Sequence, residues 1–249
     1  MSLSFTQKTG LALTGFALAA NVPFTLLIDR FGYDDILREP PLEVMAAFRA
    51  GGPELILIWL AFALCALSFL FVSAWVGQAV REQGGRWPAW AAAAGAASAV
   101  AQAAGLSRWV FVIPGLAQQA EATDPAVQAA AVVAYGVIHQ FAGVAIGEWL
   151  GQTLLAGWTL ALGLILFKGL HGRGLWHRVL GVAGLALAPL WLVGQTELLA
   201  TVDPAFRAIP ITAYVYMGWE AWLLLVGLTW TFARTGHRPS TQGRVRASE

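Results

Sequence analysis

Residues 137–168 read VIHQFAGVAIGEWLGQTLLAGWTLALGLILFK, and from Pro125 to Phe167 the only formal charge is Glu148. An apolar run of that length exceeds the roughly 18–20 residues needed to cross the hydrocarbon core of a bilayer. A soluble domain carries about 25% charged residues. This chain has 12% charged and 58% apolar residues over 249 positions. That is too little charge to solvate a surface of this size. The composition therefore specifies an all-α fold, a polytopic integral membrane helix bundle.

Six transmembrane helices are expected from the apolar runs, at approximately 9–28, 54–80, 87–113, 142–167, 176–199 and 211–233. The third opens at Trp87-Pro88 and closes at Pro114-Gly115, with proline tolerated in a first helical turn. Asp124-Pro125 reads as an N-cap followed by proline at the first helical position. An unbroken helix from Pro125 to Phe167 would be about 65 Å long, twice a bilayer core. Residues 125–141 are therefore expected to form a helical extension outside the membrane. The transmembrane domain spans 1–233. Its outer loop, 29–53, carries a short surface helix opened by Pro40-Pro41 and ended by Gly51-Gly52. The polar tail 234–249 reads as disordered.

Basic residues set the expected orientation. Ten, among them Lys8, Arg81, Lys168, Arg178 and Arg244, fall on one side, against Arg30, Arg38, Arg49 and Arg207 on the other. The positive-inside rule then puts both termini in the cytoplasm. Trp87, Trp90, Trp176 and Trp230 are expected to anchor the inner boundary, and Trp109 the outer one. Thirteen arginines against two lysines and abundant alanine fit a GC-rich bacterial genome, hence a multi-pass protein of the bacterial inner membrane.

The totals also exclude functions. A net charge of +1 with no dense basic stripe argues against a nucleic-acid partner. Cys65, the only cysteine, rules out an internal disulfide and reads as a small packing residue. No H-E-x-x-H or G-x-S-x-G motif is present. No metal and no cofactor is expected.

Polar residues inside the spans carry the functional signal. A charge at the bilayer centre costs about 2.5–3.5 kcal/mol on insertion scales, so such groups face the bundle interior and find partners. Arg108, Glu148, Gln152 and Glu220 qualify, with Asn21, His139 and Glu197 in the same outer half. Wound as an α-helix at about 100° per residue, His139 and Glu148 stand nearly opposite each other, roughly 13 Å apart along the axis. Gly143, Gly147 and Gly151 form a stripe that lets another helix approach closely, in this chain or in a second copy or partner. Pro23 and Pro189 free the carbonyls of Ala19 and Leu185.

Each polar group also has a structural reading. Arg108 can snorkel to outer headgroups, Glu197 and His139 can be interfacial, and Glu148 and Glu220 can clasp helices. The leading functional reading is an outward-facing polar cavity that binds a small molecule or lipid, in a transporter or sensor. There Arg108 would hold an anionic group. The second is an intramembrane enzyme using His139 with Glu148 or Glu220 as acid and base. The third is a structural or regulatory subunit docked through the glycine stripe.

Three stretches, DDILREPPLEVMAAFRAGG, LSRWVFVIPGLA and HQFAGVAIGEWLGQTLLAGWTLALG, resemble a bacterial membrane family catalogued as domain of unknown function 4386. The comparable segments of that family read like ILREP…EV, R-W-P-F-x-V-P and H-x-Y-x-G-V-A-x-G-E-x-L-G. Here Phe141 replaces the aromatic hydroxyl and Trp149 takes a position often polar. The resemblance implies that Arg108, His139 and Glu148 belong to a recurring pattern; it implies no reaction.

Overall fold

The computed structural model describes residues 2–33, 35–81, 85–168, 174–203 and 205–233. The tail expected to be disordered, with Arg244 and the other basic residues beyond Ala233, lies outside the described residues. So do His171 and Arg173.

Helix α1 covers Phe5–Phe31. Ser4 caps it reciprocally: the Gln7 N–H donates to Ser4 Oγ at 3.3 Å and the Ser4 N–H donates to Gln7 Oε1 at 2.9 Å. A 3₁₀ turn, Asp35–Arg38, leads into α2, Pro41–Ala79. Inside α2 the backbone breaks at Gly52, where φ is 58° and ψ is −156°. Only glycine takes that conformation without strain, so Pro41 starts a short rod and Gly52 turns the chain into the longer part of α2.

Helix α3 is Trp87–Phe111, and after a kink at Val112 comes α4, Ile113–Gln119. α3 thus ends at Phe111, two residues short of the end expected from Pro114-Gly115, and Pro114 opens a further short helix. It sits in the first turn of α4, where its missing N–H is harmless. Asp124 caps α5, Pro125–Ile138, accepting the Ala126 N–H at 2.8 Å. The chain continues as a twelve-residue π-helix, His139–Leu150, and then as α6, Gly151–Lys168. α7 is Leu175–Gly194, α8 is Thr196–Ala200, and α9 is Thr212–Thr231.

The long helices close into a ring: α1 packs on α2, α2 on α3, α3 on α6, α6 on α7, α7 on α9, and α9 back on α1. Among the described residues, five helical stretches are long and apolar enough to cross a membrane. α9 falls outside that set, its apolar run interrupted by Glu220, three threonines and two tyrosines.

Two apolar clusters hold the ring together. One centres on Phe69, Trp158, Trp219, Trp222 and Trp230 in the body of the bundle. The other joins Phe31, Met45, Phe48, Trp59, Trp109 and Tyr135, tying α5 and the first rod of α2 over the end of α3. Two tryptophans expected at interfaces are in fact core. Trp109 is 0% exposed and stacks on Trp59 at 4.8 Å, and Trp230 is 1% exposed. Trp90 and Trp176 remain on the surface.

Candidate functional site

Between the two clusters lies a cavity of about 230 Å³. It runs from Arg38, Glu197 and Thr201 at one end of the bundle to Phe16, Phe69 and Trp219 in its body. Six of the seven candidate residues, Arg108, His139, Glu148, Gln152, Glu197 and Glu220, are on its wall. The seventh, Asn21, stands behind the wall. Its Nδ2 donates to Ala17 O at 2.8 Å and to Glu220 Oε2 at 3.4 Å.

The winding of the fourth long helix brings His139 and Glu148 to one face, contrary to the α-helical expectation. A π-helix closes i→i+5 bonds and has about four and a half residues per turn, so nine residues make close to two full turns. Wall positions 139, 143, 144, 147, 148 and 152 fall on that face, with His139, Gly143 or Val144, Glu148 and Gln152 recurring every four to five residues. Phe141 and Trp149, off that face, are 64% and 52% exposed. Such winding is rare and occurs often at functional sites.

Arg108 does not snorkel. It is 5% exposed, with Nη1 donating to Gly105 O at 2.6 Å. Its guanidinium stands 5.2 Å from the Trp109 ring centroid, and the Glu148 carboxylate is the charge nearest to balance it. Gly143 makes this placement feasible, because a Cβ there would stand 2.6 Å from the guanidinium carbon. Gly147 lies against Gly105, and Gly151 against Gln102. All three glycines therefore face α3 of the same chain. Ser98 Oγ, accepting from Gln102 Nε2 at 2.9 Å, donates to Gly151 O at 2.8 Å.

His139 stacks on Tyr135 with centroids 5.3 Å apart, and its Nδ1 lies 3.4 Å from the Tyr135 hydroxyl. Glu220 is 5% exposed, is hydrogen-bonded by Asn21, and has Tyr216 one turn before it on α9. At the end of the bundle Glu197 bonds Arg38 Nη2 at 3.3 Å and accepts the Thr212 N–H at 2.9 Å. Among the described residues, no three His, Cys, Asp or Glu side chains converge in a way that could hold a metal ion.

Several wall residues escape the sequence reading. Phe24, Tyr33, Phe62, Trp191 and Tyr216 line the cavity. Aromatic residues on apolar helices read as core, and nothing in their spacing marks them out. Arg38 reads only as an orienting charge, although it belongs to the distinctive DDILREPP stretch. Buried polar atoms cluster on the wall too: Arg108 Nε, Gln152 Oε1 and Glu220 Oε1 have no hydrogen-bond partner within the protein. The indole N–H groups of Trp59, Trp109 and Trp191 share that condition.

The model of a family described as a domain of unknown function (DUF4386) matches residues 9–227. No curated protein and no solved structure matches the chain significantly.

Proposed function

We propose, for a chain that belongs to the DUF4386 family, a ligand-binding role within the bacterial inner membrane. In this reading the protein is an integral membrane helix bundle whose six long helices all span, with both termini cytoplasmic. Its cavity opens outward and binds a small molecule or lipid, in transport or sensing. The observation that carries the reading is the set of unpartnered buried atoms on one wall, at Arg108, Gln152 and Glu220. A buried polar atom left without a hydrogen bond costs about 1–3 kcal/mol, so several of them around one cavity favour an occupant that supplies the missing bonds. Arg108, Gln152 and Glu220 come from three different helices, an arrangement that simple pairing between neighbouring helices does not require.

Native mass spectrometry of gently solubilised protein tests this, wild type beside Glu148→Gln. The expected result is a bound small molecule or lipid on the wild type that is weakened or absent on the folded variant. Bare wild-type spectra, together with no saturable binding in a screen of amphiphiles, would overturn the proposal.

A further inference from the structure

The proposed ligand-binding role leaves the ligand's chemistry open, and the charges on the wall narrow it. The wall carries two arginines, Arg38 and Arg108, against three glutamates, Glu148, Glu197 and Glu220. Arg38 is bonded to Glu197, and the Arg108 charge is coupled to Glu148. Glu220 is different: Asn21, the side chain hydrogen-bonded to its carboxyl, is neutral, as is Tyr216 one turn before it. One of its oxygens, Oε1, is buried with no partner.

Around this carboxyl the wall is aromatic. Tyr216, one turn before Glu220, packs on Phe24 with centroids 5.0 Å apart. Phe24 meets Tyr33 at 5.8 Å and Phe62 at 6.1 Å, and Tyr33 meets Phe62 at 6.3 Å. All four rings line the cavity. Ring faces attract cations electrostatically, and they do so more strongly where water is excluded. An anion would instead face three carboxyl groups, and of the Arg108 guanidinium, whose Nη1 bonds the Gly105 carbonyl, it would meet an open Nε.

Resting on the ligand-binding reading, we propose that the cavity takes an organic cation. Its ammonium group sits against Glu220, and its apolar or aromatic body lies among Phe24, Tyr33, Phe62 and Tyr216. A bare metal cation is a poorer match, since among the described residues no three metal-ligating side chains converge.

The test is isothermal titration of the full solubilised chain with three ring-matched probes: benzyltrimethylammonium, benzyl alcohol and benzoate. Saturable binding is expected for the cation and not for the anion, with the neutral probe at least tenfold weaker than the cation. Glu220→Gln should weaken the cation tenfold or more. Phe24→Leu, which leaves the carboxyl in place, should weaken it between about two- and thirtyfold. Thermal melts confirm that each variant is folded. Benzoate binding that Arg108→Gln removes would overturn the cation assignment while sustaining the ligand-binding role. Cation binding indifferent to both Glu220→Gln and Phe24→Leu would overturn the site. No saturable binding of any probe would overturn the inference, and a resident molecule seen by native mass spectrometry would then leave the broader role standing.

Discussion

The guanidinium of Arg108 occupies the space that a side chain on Gly143 would need: a Cβ at that position would stand only 2.6 Å from both its central carbon and Nη2. An arginine is held deep in an apolar bundle here because the facing helix has no side chain at that point. Gly143→Ala should therefore displace the guanidinium, at a cost of about 1–3 kcal/mol typical of overpacking. Arg108→Gln, which shortens the side chain and removes the fork, should relieve much of that cost. A double-mutant cycle in detergent melts is expected to show coupling of about 0.5–3 kcal/mol. Additive effects would mean that the two residues do not share the space.

The π winding has its own signature. Single cysteines placed from 139 to 152 in a Cys65→Ser background, probed with a water-soluble thiol reagent, should react by face. Protection is expected to change at positions 139, 143 or 144, 148 and 152, a period between four and five. A period of 3.6 would mean that this stretch is an ordinary α-helix in solution.

Glycines on this bundle separate into two kinds. A methyl on Gly105 would stand 2.5 Å from Gly147 Cα and 2.8 Å from the Ala142 carbonyl oxygen, so backbone must move. Gly136 has no neighbour within 4 Å of such a methyl and lies in regular helix. Gly105→Ala should destabilise by about 1–3 kcal/mol. Gly136→Ala should stabilise by about 0.4–1 kcal/mol through the lower entropy of the unfolded chain. Equal effects in thermal melts would contradict the close approach of α3 to the π-helix.

Much of this architecture is legible residue by residue, and the failures have physical causes. Pro41, Pro88 and Pro125 mark helix starts because proline's fixed φ and missing N–H suit a first turn. Gly52 marks the bend because it alone tolerates the required backbone. The polar wall is legible because an ionisable group in an apolar run is too costly to be accidental. The winding of 139–150 is not legible, since a hydrophobic pattern read at an assumed 100° per residue cannot report its own period. Trp109 is misread because an indole suits an interface and a core alike, and only its stacking on Trp59 decides between them. The aromatic wall around Glu220 escapes for the same reason.

The ion pair at the end of the cavity should matter less than it looks. Arg38 is 56% exposed at its side chain, so screening by water leaves its bond to Glu197 worth under about 1 kcal/mol. Glu197 is only 16% exposed and also accepts the Thr212 N–H that begins α9. Arg38→Ala is expected to change stability by less than about 1 kcal/mol. Glu197→Ala, which removes a helix-capping acceptor as well, should cost about 1–2 kcal/mol. Equal losses from the two variants would show that the ion pair, and not the cap, carries the stability.

Cys65 has more to do than fill space. Proline at position 23 lacks the N–H that would bond Ala19 O, and the Cys65 thiol on α2 approaches that carbonyl at 3.7 Å. On the lipid-facing side of a membrane helix a carbonyl without a donor is costly, and a thiol is a weak but adequate one. Cys65→Ser keeps a donor of similar size at the same place and should leave stability within about 0.5 kcal/mol of wild type, a surface-like change. Cys65→Val matches the volume but offers no hydrogen, and should cost about 0.6 kcal/mol, the mean for interhelical bonds in membranes, and at most about 1.7. Thermal or denaturant unfolding in detergent decides. A valine variant as stable as the serine one would show that Ala19 finds its donor elsewhere, and that the contact between α1 and α2 rests on packing alone.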